Sequence, residues 1–216
     1  MPDVTNMPSD KREAVLQAAI NEFSERGYEQ GSTNRIIQQS GISKGLLFHY
    51  LGSKKNVYLF ALDHCLQYYV DYVYAKMVNL SPDIMDRIMQ ISLLKIRMCT
   101  TTPQMYRMVV SAWVDTPPEL QEEVATRQAK LAEEHFPRLM VEGIDFTRFR
   151  KGLDVQKAIE LLYSMLEMIS NKLMDRYAKE EDRGLSKLDD MNEELKQYLE
   201  VLRYGLYEQK ENKRDE

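Results

Sequence analysis

One serine lies in a pattern that elsewhere is catalytic: Gly41-Ile42-Ser43-Lys44-Gly45 spells G-x-S-x-G. A nucleophilic serine of that kind needs a strand before it, a helix after it, and acid and histidine partners further along the chain. The preceding residues, NRIIQQS, read as helix, and the chain holds three histidines, His49, His64 and His135. His49 is too near Ser43 in sequence to be the usual partner. A zinc hydrolase is no better served, because His135 follows Glu133 and Glu134 with no second histidine four residues away. The chain reads as a non-enzyme, with no cofactor and no metal.

The same stretch offers contact chemistry instead. A short helix from Thr33, a turn at Gly41 and a second short helix capped by Ser43 make a helix-turn-helix, with Ile36, Ile37, Ile42 and Leu47 placed where crossing helices bury them. The remaining face of the second helix shows Ser43, Lys44, Gly45, Leu46, His49 and Tyr50, an odd surface for a helix with nothing to bind. Glycine inside a helix costs about 1 kcal/mol against alanine. Gly45 therefore suggests that a partner, such as a DNA edge or a phosphate, comes very close to the backbone there.

Charge points the same way once divided. The whole chain carries −5, which argues against a nucleic-acid binder, yet no acidic residue falls between Glu29 and Asp63 while Arg35, Lys44, Lys54 and Lys55 do. This is either a local electrostatic footprint or a chance gap, and composition alone leaves both open.

The elements that must position these residues are helical throughout. Nine Gly and seven Pro in 216 residues are too few for a turn-rich β fold. No apolar run reaches the length of a membrane span, and MPDVTNMPSDKRE has no apolar core of a secretory signal. With Cys65 and Cys99 alone, no disulfide framework is expected, and a reducing cytoplasm fits. Helices are expected from Ser9, as N-cap, to a stop at Gly27; from Thr33 to Gly41; from Ser43 to Tyr50; and, capped by Ser53, to about Asn79. Further helices follow over Ile84–Met98, Met105–Val114, Pro117 to about His135, Val155–Leu173 and Leu188–Leu206, with 137–152 read as a loop holding a short helical insert. The charged tail from Glu208 reads as a frayed end.

The segment Gly41-Ile42-Ser43-Lys44-Gly45-Leu46-Leu47-Phe48-His49-Tyr50-Leu51-Gly52-Ser53-Lys54-Lys55, with Ala18-Ala19, Phe23, Gly27-Tyr28 and Ser32-Thr33 upstream, resembles the DNA-binding domain of the TetR (tetracycline-repressor) family of bacterial transcriptional regulators. The resemblance covers residues 9 to about 60. Four positions depart from the family's pattern: Phe48 for Tyr, Leu51 for Phe, Leu46 for Thr or Ser, and Lys55 for Glu. They leave the operator sequence open rather than DNA binding. By resemblance the second short helix lies in the major groove, with Lys44, Gly45 and Leu46 at the bases and His49 at the boundary of base and backbone. Thr33, Ser43, Tyr50 and Lys54 would hold phosphates, and Phe48 is left between packing and backbone contact.

The resemblance further implies an all-α architecture. A three-helix DNA-binding domain over 1–52 runs into a fourth helix, and a helical effector-binding and dimerisation domain spans 53–216. Tyr68, Tyr72, Met98, Met105, Tyr106, Trp113, Met165 and Met168 fall on the helices that line the family's ligand cavity, suiting an apolar or amphipathic effector. Glu167 stands either at a surface or toward a cationic ligand. The last two helices carry more apolar positions than one face holds, with Leu161, Tyr163, Met165 and Met168 beside the main stripe. Leu162, Leu166, Ile169, Leu195, Leu199 and Leu202 are expected to build a twofold four-helix bundle with a second copy, an intramolecular bundle being the alternative. The expected function is that of a cytoplasmic, homodimeric repressor that binds a palindromic double-stranded operator and is released by a small effector. A helical adaptor or a small-molecule-binding enzyme is the rival reading, and neither needs the basic, acid-free stretch.

Overall fold

A computed structural model describes residues 4–76, 79–177 and 185–206. The helices are α1 (Ser9–Gln30), α2 (Thr33–Ser40), α3 (Lys44–Leu51), α4 (Lys54–Lys76), α5 (Ile84–Thr101), α6 (Pro103–Val114), α7 (Gln121–Met140), α8 (Val155–Tyr177) and α9 (Leu188–Leu206), and the described residues contain no strand. The fold is all-α. Its packing forms two units, residues 1–75 with 98–130 and residues 76–97 with 131–216. The first unit takes in α6, which packs along α1. Residues 208–216, read as a frayed tail, lie outside the described residues, as does the side chain of Glu167.

In the first unit α1 buries Val15, Ala19, Ile20 and Phe23, each at most 1% exposed. Phe23, Tyr28 and Tyr58 form an aromatic cluster, with Tyr58 edge-on to both others at 5.1 Å. The expected stop at Gly27 is a kink instead: its φ of 67° and ψ of −177° break the helix, which then continues to Gln30. Nor does Ser9 cap α1, since Pro8 holds the N-cap position and no side chain bonds there. The next two boundaries follow the sequence closely. Gly41 closes α2 at a left-handed φ of 68°, with its N–H on the Ile37 carbonyl. Ser43 and Ser53 cap α3 and α4, their hydroxyl oxygens accepting the Leu46 and Asn56 N–H groups. Ile36, Ile42, Leu47 and Leu51 lock α2 and α3 together, all at most 5% exposed.

The second unit centres on Ile84, Met85, Ile88, Ile91, Met140, Ile144, Phe149, Ala158, Leu162 and Leu199. At the start of α5 the buried Asp83 carboxylate accepts from the Met85 N–H at 2.8 Å and pairs with Arg148 and Arg203. Arg87, 2% exposed, donates to the carbonyls of Ser81 and Glu142. Helix α7 runs past Pro137, where a loop was expected. A proline removes its own N–H and crowds the carbonyl one turn back, yet the Val141 and Glu142 N–H groups both close onto the Pro137 carbonyl, at 2.9 and 3.0 Å.

Candidate nucleic-acid interface

The start of α3 is open. Lys44 is exposed and makes no hydrogen bond or ion pair with the described residues. A Cβ added at Gly45 would meet nothing within 4 Å. No part of the described chain demands glycine there, so the helix-propensity cost stays uncompensated inside the free protein. Leu46 is half-buried, and its N–H is taken by the Ser43 cap; the Ser43 hydroxyl proton remains available to an outside acceptor. Thr33 opens α2, half-buried. Phe48 is half-buried too, and His49 is exposed with its ring edge-on to Tyr50 at 4.9 Å.

Two expected phosphate ligands are engaged within the chain. The Tyr50 hydroxyl donates to the Asn6 carbonyl at 3.1 Å. A phenol has one proton, so in the free chain Tyr50 has none to give a phosphate; it ties the segment before α1 to the end of α3. Lys54 donates to the Glu29 carbonyl at 3.0 Å and lies 4.7 Å from the Tyr28 ring centroid. Its ammonium has three donors, so it keeps capacity for an anion.

The basic window is also thinner than its sequence suggests. Arg35 clamps Glu22, with Nε at 2.9 and 3.1 Å from the two oxygens, and Glu22 also accepts the Ser32 N–H at 2.9 Å. Burial pushes the Glu22 carboxyl up, but the Arg35 and Ser32 hydrogen bonds and the charges of Arg35 and Arg26 more than offset this and hold it below its ordinary value. Lys55, the departure from the expected Glu, bonds the Glu119 carbonyl and pairs with Glu123. Of the four cations in the window, Lys44 and Lys54 alone lack a carboxylate partner among the described residues. Sequence reading missed Glu22, although the signal was present: it lies seven residues after Val15, on the apolar face of α1.

Residues 15–59 match the family described as bacterial regulatory proteins, tetR family. Residues 15–59 thus carry a DNA-binding segment of the TetR-family type. The HTH-type transcriptional repressor AcnR of Corynebacterium glutamicum is 36% identical over 52 residues, 24% of this chain and 28% of that relative, so the likeness spans little more than a quarter of the repressor. A transcriptional regulator from Saccharomonospora viridis solved in complex with choline shares the fold at a TM-score of 0.70 and 18% identity, over 94% of this chain and all of that one. FadR from Bacillus subtilis in complex with stearoyl-CoA does so at 0.59 and 14%, over 85% and 96%.

The residues expected around an effector differ in burial. Tyr68 and Tyr72 stack on α4 with centroids 6.4 Å apart, and Met98 is buried. Met105, Tyr106 and Met165 are half-buried. Trp113 is 37% exposed and Met168 61%, so neither is an enclosed wall of its own unit. The expected dimer residues are also placed differently. Leu162, Ile169 and Leu199 are at most 3% exposed within the single chain, and Leu166, Leu195 and Leu202 pack against the core of the second unit. The regular stripe of α8 and α9 therefore faces the chain's own core. Among the described side chains, their exposed apolar ones include Leu161, Tyr163, Met168, Val201 and Tyr204. Among the described residues no helix is long and apolar enough to cross a membrane, and no cluster of three or more His, Cys, Asp or Glu stands ready for a metal.

Proposed function

We propose that this chain is a cytoplasmic, homodimeric TetR-family transcriptional repressor that reads a palindromic double-stranded operator with α3 and releases it on binding a small effector. The observation that carries the reading is the open N-terminal turn of α3: Ser43, Lys44, Gly45 and Leu46 present a hydroxyl, an uncompensated ammonium, bare backbone and an apolar tip. A base edge fits those groups, and Thr33 and Lys54 flank them for phosphates. Leu46 favours apolar contact with a thymine methyl. The relatives whose names call them repressors support the sign of regulation.

Dimerisation is supported by the outward face of α8 and α9, where Leu161, Met168, Val201 and Tyr204 are 56%, 61%, 72% and 73% exposed. Large apolar side chains left exposed on neighbouring helices are the material of contact surfaces, and a second copy meeting the same face makes a closed twofold pair. Such a dimer sets its two α3 helices about one DNA turn, roughly 34–36 Å, or a multiple apart. An effector that favours another spacing releases the operator, provided it binds the released form more tightly. The fold neighbours hold choline in one case and stearoyl-CoA in the other. A cation and an anion on one fold leave the effector's charge to the individual chain.

The test is selection of bound sequences from random duplexes, followed by titration of the winner at two salt concentrations. A palindrome bound by a dimer with steep salt dependence is expected. Absence of any enriched sequence, with and without cell-extract metabolites, refutes the reading. Replacing Leu161 and Val201 together by Asp is expected to give a folded monomer in sedimentation; an unchanged dimer would place the contact elsewhere.

A further inference from the structure

Helix α6 carries a cation that has no counter-charge among the described residues. Met108, Val109, Val110, Ser111 and Ala112 are all at most 7% exposed. Five consecutive residues cover the full circumference of a helix, so at this level α6 is walled on every side. Arg107 adjoins that turn, half-buried, and its Nε is fully buried without a hydrogen-bond partner. No carboxylate, carbonyl or hydroxyl among the described residues takes any part of its guanidinium.

The other arginines that are buried or half-buried provide the contrast. Arg35 has Glu22, Arg127 has Asp63, Arg203 has Asp83 and Asp86, and Arg87 has three backbone carbonyls. Elsewhere, then, this chain gives such a guanidinium its acceptors. Nor does the local sequence supply one. Between Asp86 and Asp115 there is no acidic residue, while Arg87, Lys95, Arg97 and Arg107 all fall there. The one buried acid of α1, the helix packed along α6, is Glu22, already held by Arg35 and Arg26. Met98 and Met108 are buried and Met105 and Tyr106 half-buried on the same stretch, so the side chains nearest Arg107 in sequence are adaptable and largely apolar.

We propose that Arg107 is the anchor for an amphipathic carboxylate effector, its guanidinium taking the carboxylate while the apolar body lies against the methionine-rich wall. A planar carboxylate matches the guanidinium fork with two parallel hydrogen bonds. The same charge repels a cationic ligand. The proposal rests on the regulator reading in that the carboxylate is the effector, but its test does not need DNA.

Calorimetry on the full chain alone uses laurate and cinnamate, each against its primary amide, with dodecyltrimethylammonium as the cationic probe. At least one carboxylate is expected to bind the wild type about tenfold or more tightly than its amide, and the cation not to bind. Arg107→Met should abolish that preference, and Arg107→Lys should retain part of it. Because Arg107 has no partner to lose, Arg107→Met should melt at or above the wild-type temperature. Equal affinity for acid and amide, no binding of either carboxylate, unchanged carboxylate binding by Arg107→Met, or a lower melting temperature for that variant overturns the proposal. Loss of operator binding leaves these readings intact, so the two proposals fail separately.

Discussion

Replacing Glu22 by Gln tests the reasoning about the helix-turn-helix most directly. Glu22 is 2% exposed and joins α1 to the start of α2 by accepting from the Ser32 N–H and from the Arg35 guanidinium. The amide keeps an oxygen for the Ser32 N–H, but it loses the charge, and its NH2 has nothing to offer Arg35. A hydrogen bond to a charged group is worth about 1.5–3 kcal/mol, and loss of a buried partner costs more. The Arg35 side chain is 42% exposed and regains water when released, which reduces the cost. About 1–2 kcal/mol is therefore expected for Glu22→Gln, equivalent to a fall of about 2–8 °C in Tm for a chain of this size. The acid limb adds a second signature. The Glu22 carboxyl titrates below its ordinary 4.5 in the folded chain, so its stabilisation is complete above the unfolded value and is lost as pH falls through the folded one. Urea midpoints of wild type and Glu22→Gln, measured from about pH 7 to about pH 3, should differ most near neutrality and converge in acid. A constant gap, or no gap at neutrality, would refute the ion-pair account.

Three further outcomes follow from the same geometry. Lys54→Ala should weaken operator binding by a similar factor for all sequences and lower the salt slope by about one, whereas Lys44→Ala should also relax preference at one base position; gel-shift titrations at two salts separate them. Tyr50→Phe should cost about 0.5–1.5 kcal/mol of stability through the lost bond to Asn6 while operator affinity moves less than about twofold; a loss of about tenfold would show the hydroxyl turning to DNA. Burial pushes the Cys65 thiol up to about 12, so among the described groups it should resist a thiol-specific disulfide reagent in the native chain at mildly alkaline pH and react only on unfolding; prompt modification of Cys65, read by mass spectrometry, would contradict the packing.

The helices were legible because their signals are local. Gly41 and Ser43 bracket a turn by backbone φ and by a hydroxyl cap, effects complete within a few residues. The apolar stripes of α8 and α9 likewise announce helices whatever they pack on. Those stripes did not say which of two apolar faces turns inward: Leu162 and Leu199 could equally have met a second copy, until the packing of α5 and α7 filled that side. The packing of α6 was hidden for the same reason, since nothing in α6 names α1 as its neighbour.

Charge shows the division most clearly. The sequence alone determined the helix-turn-helix, its family likeness and an acid-free stretch of net +4 from residue 30 to residue 62. Only the tertiary structure decided which of those cations face outward. Arg35 and Lys55 find Glu22 and Glu123, carboxylates 13 and 68 residues away in the chain, while Lys44 finds none among the described residues. Electrostatic pairing depends on distance through space and on burial, and neither can be read from positions along a chain.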